Sequence, residues 1–399
     1  GLPEWLKNSD DSYTRHEEFD KKDFSDLPIL LNIDKKNIFC LDFGGATAKD
    51  MIEHIPFYGS PEASTQGKRM INKAVSGGHG NGGKYYALSQ FAECSIISYY
   101  NGKLTILRLN KEGDYVDTEE LSASPDEVIN LLGINKWDYF QKEGKGLLYQ
   151  IKNYRLNLFC WKGVDSNDKS QISNKRILAR VLNSVANHPQ SRSALRFRKV
   201  HVLFEGRILW PDMKPEEVKI DETFGVREFS LPNKLEENTF NKHFNSVLKV
   251  SLSEEPLTGE KSSLNILEID AFGRNIAYYE IPILMVDKGL SKNLYAHIDC
   301  PELKEHNCVS NDRVRLIESL EITKLFLEWC KSKIREVLEE LTNKEKKKEE
   351  RKHLDDLGTF LREITDEISE LLEEENILTP QFKKEGDKKE KVEAPTEKP

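Results

Sequence analysis

"SGGHGNGGKYYAL", residues Ser76 to Leu88, decides how this chain is read. Three glycine patterns overlap in it. Gly78-His79-Gly80-Asn81-Gly82-Gly83 spells G-x-G-x-x-G, the grammar of a dinucleotide-binding turn. Gly78 to Lys84 spells G-x-x-x-x-G-K, the opening of a P-loop. Gly77-x-x-Gly80-x-Gly82-x-Lys84 spells a lid that closes over phosphates. In each, glycines let backbone N–H groups approach phosphate oxygens with no Cβ in the way. A P-loop needs Ser or Thr after the lysine to meet Mg²⁺. Tyr85 stands there, and the preceding Lys68 to Val75 is polar, unlike a buried strand. A dinucleotide turn needs an acidic residue about 20 positions on, at the end of the next strand. That strand, Cys94 to Tyr100, ends in Tyr99-Tyr100-Asn101. The lid pattern makes different demands: an upstream helix with E-x-x-x-N-x-x-D, and between the two a strand ending in D-x-G.

Both are present. "PEWLKNSDDS" carries Glu4, Asn8 and Asp11, and spacings of four and three put them on one face of a helix. "FCLDFGGAT" supplies Asp42-x-Gly44 at a strand end. In this order the three motifs resemble those of the GHKL ATPase superfamily, which includes gyrase B, the ninety-kilodalton heat-shock chaperone, MutL, MORC proteins and histidine kinases. The G-N-G-x-K core at Gly80 to Lys84 is similar to the MORC version of the lid. The resemblance is strong over residues 1–110 and moderate over 110–200. From 200 to about 340 it is architectural, like the transducer domain of MutL- and MORC-type proteins.

The resemblance implies an α+β chain. Residues 1–197 would form a GHKL (Bergerat) α/β sandwich that binds ATP, and 198–315 a transducer-like α/β domain. A helical, coiled-coil-prone region would follow over 316–378, then a disordered charged tail over 379–399. It also implies roles. Glu4 would orient the water that attacks the γ-phosphate, and Asn8 would ligate Mg²⁺. Asp11 would orient groups around the base site. Asp42 would accept a hydrogen bond from the adenine amino group, with Gly44 letting the purine lie close to the backbone. Gly78, Gly80, Asn81, Gly82, Gly83 and Lys84 would wrap the phosphates. A basic residue of the transducer-like block would reach the γ-phosphate, with Lys304 and Arg313 as candidates. The expected activity is slow Mg²⁺-dependent ATP hydrolysis coupled to ATP-dependent homodimerisation, a clamp acting on DNA in maintenance or anti-phage defence. The C-terminal helices would carry the dimer or a protein-partner site. Rival readings are a chaperone-like clamp on protein clients and a non-hydrolysing nucleotide-gated scaffold. The sequence departs from the family pattern in two places. Ala46 and Thr47 stand where D-x-G-x-G-M has its second glycine and methionine, and Arg155-Leu156 replace the usual late Gly-Thr.

Composition bounds the rest. The 399 residues suffice for two or three domains. Hydrophobic content of 38% against 32% charged residues describes a charge-rich soluble protein. No apolar run approaches a membrane span, and residues 1–20 are polar and acidic rather than signal-like, so the expected location is the cytoplasm without a membrane. A net charge of −9 argues against indiscriminate nucleic-acid binding, though not against a local basic groove. "SRSALRFRK", with Arg192, Arg196, Arg198 and Lys199, is one such cluster; its plainer reading is a solvated helix end. Cysteines 40, 94, 160, 300, 308 and 330 are scattered and read mostly as reduced core residues. His297, Cys300, His306 and Cys308 have the residue types for Zn²⁺ but no C-x-x-C pair, which favours a surface loop.

Hydrophobic patterning predicts a helix over 1–12, a hairpin of 29–33 with 37–41, and a short helix over 48–54. A long glycine- and serine-bearing lid over 55–83 and a helix from Lys84 follow. Strands are predicted over 94–100 and 103–109, joined at Asn101-Gly102, a strong hairpin signal. Further strands fall at 147–151 and 155–162, and a helix near 174–187. The second block opens with "KVHVLFEGRILW", then strands near 246–252, 264–271 and 275–285, and helix from 311 onward. "NKEKKKEERKH" is a solvated helical stretch or a bend before a second amphipathic helix over 354–373.

Overall fold

The computed structural model describes residues 2–19, 21, 23–33, 37–53, 93–109, 115–132, 146–152, 170–204, 207–235, 238–239, 245–285, 289–310 and 314–374. By internal contacts the chain divides into two units, Gly1–Glu339 and Glu340–Pro399.

The first unit opens with helix α1 (Leu2–Phe19) and the hairpin β1 (Ile29–Ile33) and β2 (Asn37–Asp42). After α2 (Ala48–Glu53) come strands β3 (Glu93–Tyr100), β4 (Lys103–Leu109) and β5 (Tyr115–Ser122), helix α3 (Pro125–Leu132) and strand β6 (Gly146–Lys152). Helices α4 (Ser170–Asn187) and α5 (Pro189–Phe197) lead to β7 (Val200–Phe204) and β8 (Arg207–Trp210). These eight strands form one mixed sheet in the order β5-β4-β3-β6-β2-β1-β7-β8. β1 pairs antiparallel with β2 and parallel with β7, which places it centrally. Its sequence ILLNI is buried at every position, the signature of a strand covered on both faces. Trp5, Leu6 and Tyr13 of α1 join Ile29, Leu30 and Leu31 in the core. α1 also packs on β2, α4 and α5.

The second sheet contains β9 (Val226–Ser230), β12 (Val247–Leu252), β13 (Ile266–Ala271), β14 (Arg274–Glu280) and β15 (Leu294–Asp299), in the order β14-β13-β15-β12-β9. A separate two-stranded ribbon pairs β10 (Lys234–Leu235) with β11 (Asn238–Thr239). Short helices α6 (Ile281–Met285) and α7 (Glu302–Glu305) flank β15 in the chain. The β13–β14 turn has positive φ at both Phe272 and Gly273 (56° and 74°), the geometry that suits strand twist. Asn101-Gly102 does the same between β3 and β4, at 52° and 76°. The Phe272 turn is clamped by Asp299, which accepts from the Phe272 N–H at 2.9 Å and the Gly273 N–H at 2.6 Å.

Three differences from the sequence reading have physical causes. β7 and β8, which open the stretch expected as the second domain, hydrogen-bond into the first sheet, so the second sheet begins only at Val226. An alternating run cannot say which sheet it joins. Ile281–Met285 turns into a helix where the strand was expected to continue. Finally, helix α8 runs unbroken from Glu321 to Glu374, where a bend and two helices were possible readings. The lysines and glutamates of 343–352 are good helix formers, so the charge run carries the helix through. The expected elements over 55–83, from Lys84, over 155–162 and over 379–399 lie outside the described residues. No helix among the described residues is long and apolar enough to cross a membrane.

Candidate functional site

β2 runs through the sheet interior and delivers Asp42 at its end. The four residues that follow its end are held at successive points. The Phe43 N–H donates to the Tyr13 hydroxyl at 3.0 Å, and that hydroxyl donates to the Pro28 carbonyl at 3.2 Å. The Gly44 N–H donates to Asp42 Oδ1 at 2.9 Å. Gly45 takes a left-handed φ of 69°. Ala46 is held twice by Ser98: its N–H donates to Oγ at 2.9 Å, and Oγ donates to its carbonyl at 2.6 Å. Ala46 therefore sits in a defined turn.

Asp42 is fully buried. Oδ1 accepts from the Gly44 N–H and, more weakly, from the Ser12 hydroxyl at 3.5 Å. Oδ2 is buried with no hydrogen-bond partner among the described residues. A buried acceptor left bare costs the desolvation of that atom. Burial pushes the Asp42 pKa up to about 7, against the pull of the Gly44 N–H, Ser9, Ser12 and the Gly45 N–H. Gly44 has a steric reason to be glycine: a Cβ there would lie 2.2 Å from Ser12 Oγ and 3.1 Å from Asp42 Oδ1. The sequence reading assigned that space to a purine; the structure shows α1 itself closing on the glycine. Ser9 and Ser12 escaped the sequence reading because each stands one residue after a motif position, Asn8 and Asp11.

α1 carries three faces. Leu2, Trp5, Leu6 and Tyr13 are buried in the core. Glu4, Asn8 and Asp11 form a second stripe, with Glu4 and Asp11 buried and Asn8 half-buried. Asp10, Thr14 and Glu17 form a third, turned about 120° around the helix from the second. This third stripe is an ionic anchor. Arg198 Nε donates to Asp10 Oδ1 at 2.7 Å, and its two terminal nitrogens grip Glu17 at 2.5 and 2.8 Å. Arg274 of β14 donates to Asp10 Oδ2 at 2.5 Å and to Thr14 Oγ1 at 3.0 Å. Burial raises the Asp10 pKa to about 6 even against the two guanidiniums.

The neighbouring arginines make a second buried network. Arg196 bonds Glu268 and Asp270 at 3.3 Å each, and Arg192 lies 3.5 Å from Glu268. Tyr295 donates to Glu268 at 2.5 Å, and His297 Nε2 meets Asp270 at 3.0 Å. Burial opposes charge on His297, yet Asp270 outweighs it and holds the imidazole pKa above its ordinary value. "SRSALRFRK" is thus neither a basic groove nor a solvated helix end. Arg192 and Arg198 are buried, and with Arg196 they tie α5 to α1 and to the second sheet. His297 pairs with Asp270, and Cys300 and Cys308 are buried rather than displayed on a surface loop. Among the described residues no three His, Cys, Asp or Glu side chains group to hold a metal ion.

The structure thus brings Asp42 and Gly44 against α1, which bears Glu4, Asn8 and Asp11. Lys304 sits on α7, which packs on β13 of the second sheet. Gly78, Gly80, Asn81, Gly82, Gly83, Lys84 and Arg313 lie outside the described residues.

No protein-family model matches the chain, and no curated protein matches it. Solved structures do resemble it. The Aquifex aeolicus MutL ATPase domain complexed with ADP is 12% identical with a TM-score of 0.28, over 70% of this chain and 86% of that one. The N-terminal domain of a DNA repair protein is 12% identical with a TM-score of 0.38, over 83% and 98%. The B-subunit of the DNA gyrase from Myxococcus xanthus is 10% identical with a TM-score of 0.36, over 84% and 89%. The likeness is one of chain path at low identity, and no residue role is taken from it.

Proposed function

We infer that this chain binds ATP in the manner of GHKL proteins, hydrolyses it slowly, and uses the nucleotide to gate its own dimerisation. The observation that carries the reading is Asp42, a fully buried carboxylate whose Oδ1 is occupied by Gly44 and whose Oδ2 is bare. A bare acceptor suits the amino group of adenine and disfavours the six-position oxygen of guanine. The motif order Glu4-Asn8-Asp11, Asp42-Gly44 and Gly78-to-Lys84 supports it, with α1 lying against the Asp42 turn.

Within this reading each residue has a chemical task. Asp42 selects and orients the base. Glu4 positions and polarises the attacking water as a general base. Gly78 to Lys84 gather negative charge through backbone N–H groups and one ammonium. Mg²⁺ fits the donor set: it takes few protein ligands and keeps waters and phosphate oxygens, so one amide oxygen from Asn8 suffices. When bound, it would neutralise phosphate charge. Asp11 orients neighbours from its buried position on the same stripe. A basic residue from the second sheet region, Lys304 or Arg313, would contact the γ-phosphate. Two ATP-bound copies would close as a clamp on DNA in the cytoplasm, with the C-terminal helix as the dimer or partner element.

Calorimetry with ATP, GTP and ADP, beside turnover with and without long duplex DNA, tests this. ATP binding with weak GTP competition is expected, with turnover that responds to DNA. Equal binding of ATP and GTP would remove Asp42 from base recognition and with it the reading.

A further inference from the structure

Helix α8 carries a second apolar stripe beyond its buried N-terminal part. Leu354, Leu357, Leu361, Ile364, Ile368 and Leu371 recur at strict three-four spacing. Five of the six are more than half exposed, from 51% at Ile368 to 67% at Leu354. Phe360, at 56%, widens the stripe. An isolated α-helix repeats every 3.6 residues, so a strict seven-residue apolar repeat matches another helix wound around it rather than a flat surface. Of the intervening positions, Asp355, Asp356, Arg362, Glu363, Asp366, Glu367 and Glu370 are charged, and Phe360 is the one further apolar residue among them.

We propose that this seam, Leu354 to Leu371, pairs with the same seam of a second copy of the chain as an antiparallel coiled coil. Antiparallel pairing about the midpoint of 361 and 364 sets Leu354 level with Leu371, Leu357 with Ile368, and Leu361 with Ile364. Every layer is then apolar. The charge pattern selects the direction. The helix is basic before the seam, with Lys346, Lys347, Lys348, Arg351 and Lys352, and acidic at its end, with Glu373 and Glu374. An antiparallel pair sets Arg351 and Lys352 level with Glu374 and Glu373 of the other copy. A parallel pair stacks basic on basic and acidic on acidic at both ends, which opposes association.

The size of the seam sets the strength. Covering about 100 Å² on each of the five exposed seam side chains removes on the order of 500 Å² per copy, roughly 1,000 Å² per pair, the size of weak, transient contacts. The contact is therefore weak, and association is concentration-dependent in the micromolar range. It deepens the dimer element of the proposed clamp and does not use nucleotide, so the test is run without any and its failure leaves the ATP reading untouched.

Sedimentation velocity of the full chain in nucleotide-free buffer, over a concentration series to about 100 μM, reads the equilibrium. A monomer–dimer shift is expected, and Leu361→Lys with Ile368→Lys should abolish it while leaving circular dichroism unchanged. Their side chains are more than half exposed. A chain that stays monomeric throughout, or a dimer that survives the double substitution, overturns the proposal. Disulfide trapping reads direction. A mixture of Leu354→Cys and Leu371→Cys proteins should cross-link between the two variants, whereas Leu354→Cys cross-linking to itself at the same rate overturns the antiparallel arrangement.

Discussion

Asp42→Asn separates the two consequences of burying a carboxylate at the end of β2. Burial raises its pKa from the ordinary 3.8 to about 7. A carboxyl with a raised folded-state pKa contributes stability that is complete below the unfolded value and drains away as pH rises through the folded one. Between pH 5 and pH 8 an unfolded aspartate is ionised throughout, while the folded Asp42 passes from mostly protonated to mostly ionised. Integrating the difference gives a loss of about 2–3 kcal/mol across that window. Asparagine cannot ionise. It keeps an acceptor for the Gly44 N–H and puts an amide nitrogen where Oδ2 was. Parent and variant should therefore diverge by about 2–3 kcal/mol between pH 5 and pH 8, in favour of the variant at the higher pH. Asp10 titrates in the same window but is common to both proteins, so the difference isolates Asp42. ATP affinity should move the other way. A donor would face the adenine amino group, and an unpaired polar contact costs roughly 1–3 kcal/mol, about 5- to 150-fold in Kd. Urea unfolding of both proteins at the two pH values, with calorimetry at pH 8, reads both effects. Stability curves that stay parallel would refute the buried ionisable carboxylate, and unchanged ATP affinity would refute the base pocket.

Three further outcomes are expected. Glu4→Ala should retain ATP binding and lower turnover by about two to four orders of magnitude, since only water activation is removed; parent-level hydrolysis would show that the motif is misassigned. Gly44→Ala should destabilise the fold by about 1–3 kcal/mol, because the new Cβ would lie 2.2 Å from Ser12 Oγ, and Ser12→Gly should recover part of the loss. Urea midpoints decide, with an unshifted midpoint ruling out the close approach. Asp10→Ala should cost about 3–5 kcal/mol by leaving the buried Arg274 guanidinium without its carboxylate, whereas the exposed pair Lys103–Glu120 should cost under about 1 kcal/mol when broken. Equal effects from the two would mean that the Asp10 anchor does not hold α1.

Much of the fold was legible because local chemistry decided it. Asn101-Gly102 accepts left-handed backbone, and the β3–β4 hairpin forms where that dipeptide stands. The ILLNI run reads as a strand from its β-branched and aliphatic content. Sheet membership was not legible. Val200–Trp210 has the alternation of any hairpin, and only its parallel pairing with β1 assigns it to the first sheet. The extent of α1 was also underestimated. Between Tyr13 and Phe19 its residues are polar, and their helical state rests on partners distant in sequence: Arg198 on Glu17, and Arg274 on Thr14.

That last contrast explains what a motif can and cannot give. Asp10 and Asp11 are adjacent, both fully buried, and chemically identical. Their side chains leave the helix about 100° apart, so they face different neighbours. Asp11 falls in register with Glu4 and Asn8, which is why spacing singled it out. Asp10 falls in register with Thr14 and Glu17, a stripe that looks like solvated helix until two arginines arrive from positions 198 and 274. Each arginine is itself committed by other contacts: Arg198 grips Glu17, and Arg274 lies over the Phe197 ring at 4.5 Å. A helix packed on one face by Trp5 and Tyr13 and roped on another by two guanidiniums has little freedom to rotate. The stripe with Glu4, Asn8 and Asp11 is thereby held toward its own side, at a register that neither apolar packing nor the motif alone would set. The anchor therefore belongs to the site's geometry, although none of its residues belongs to the motif.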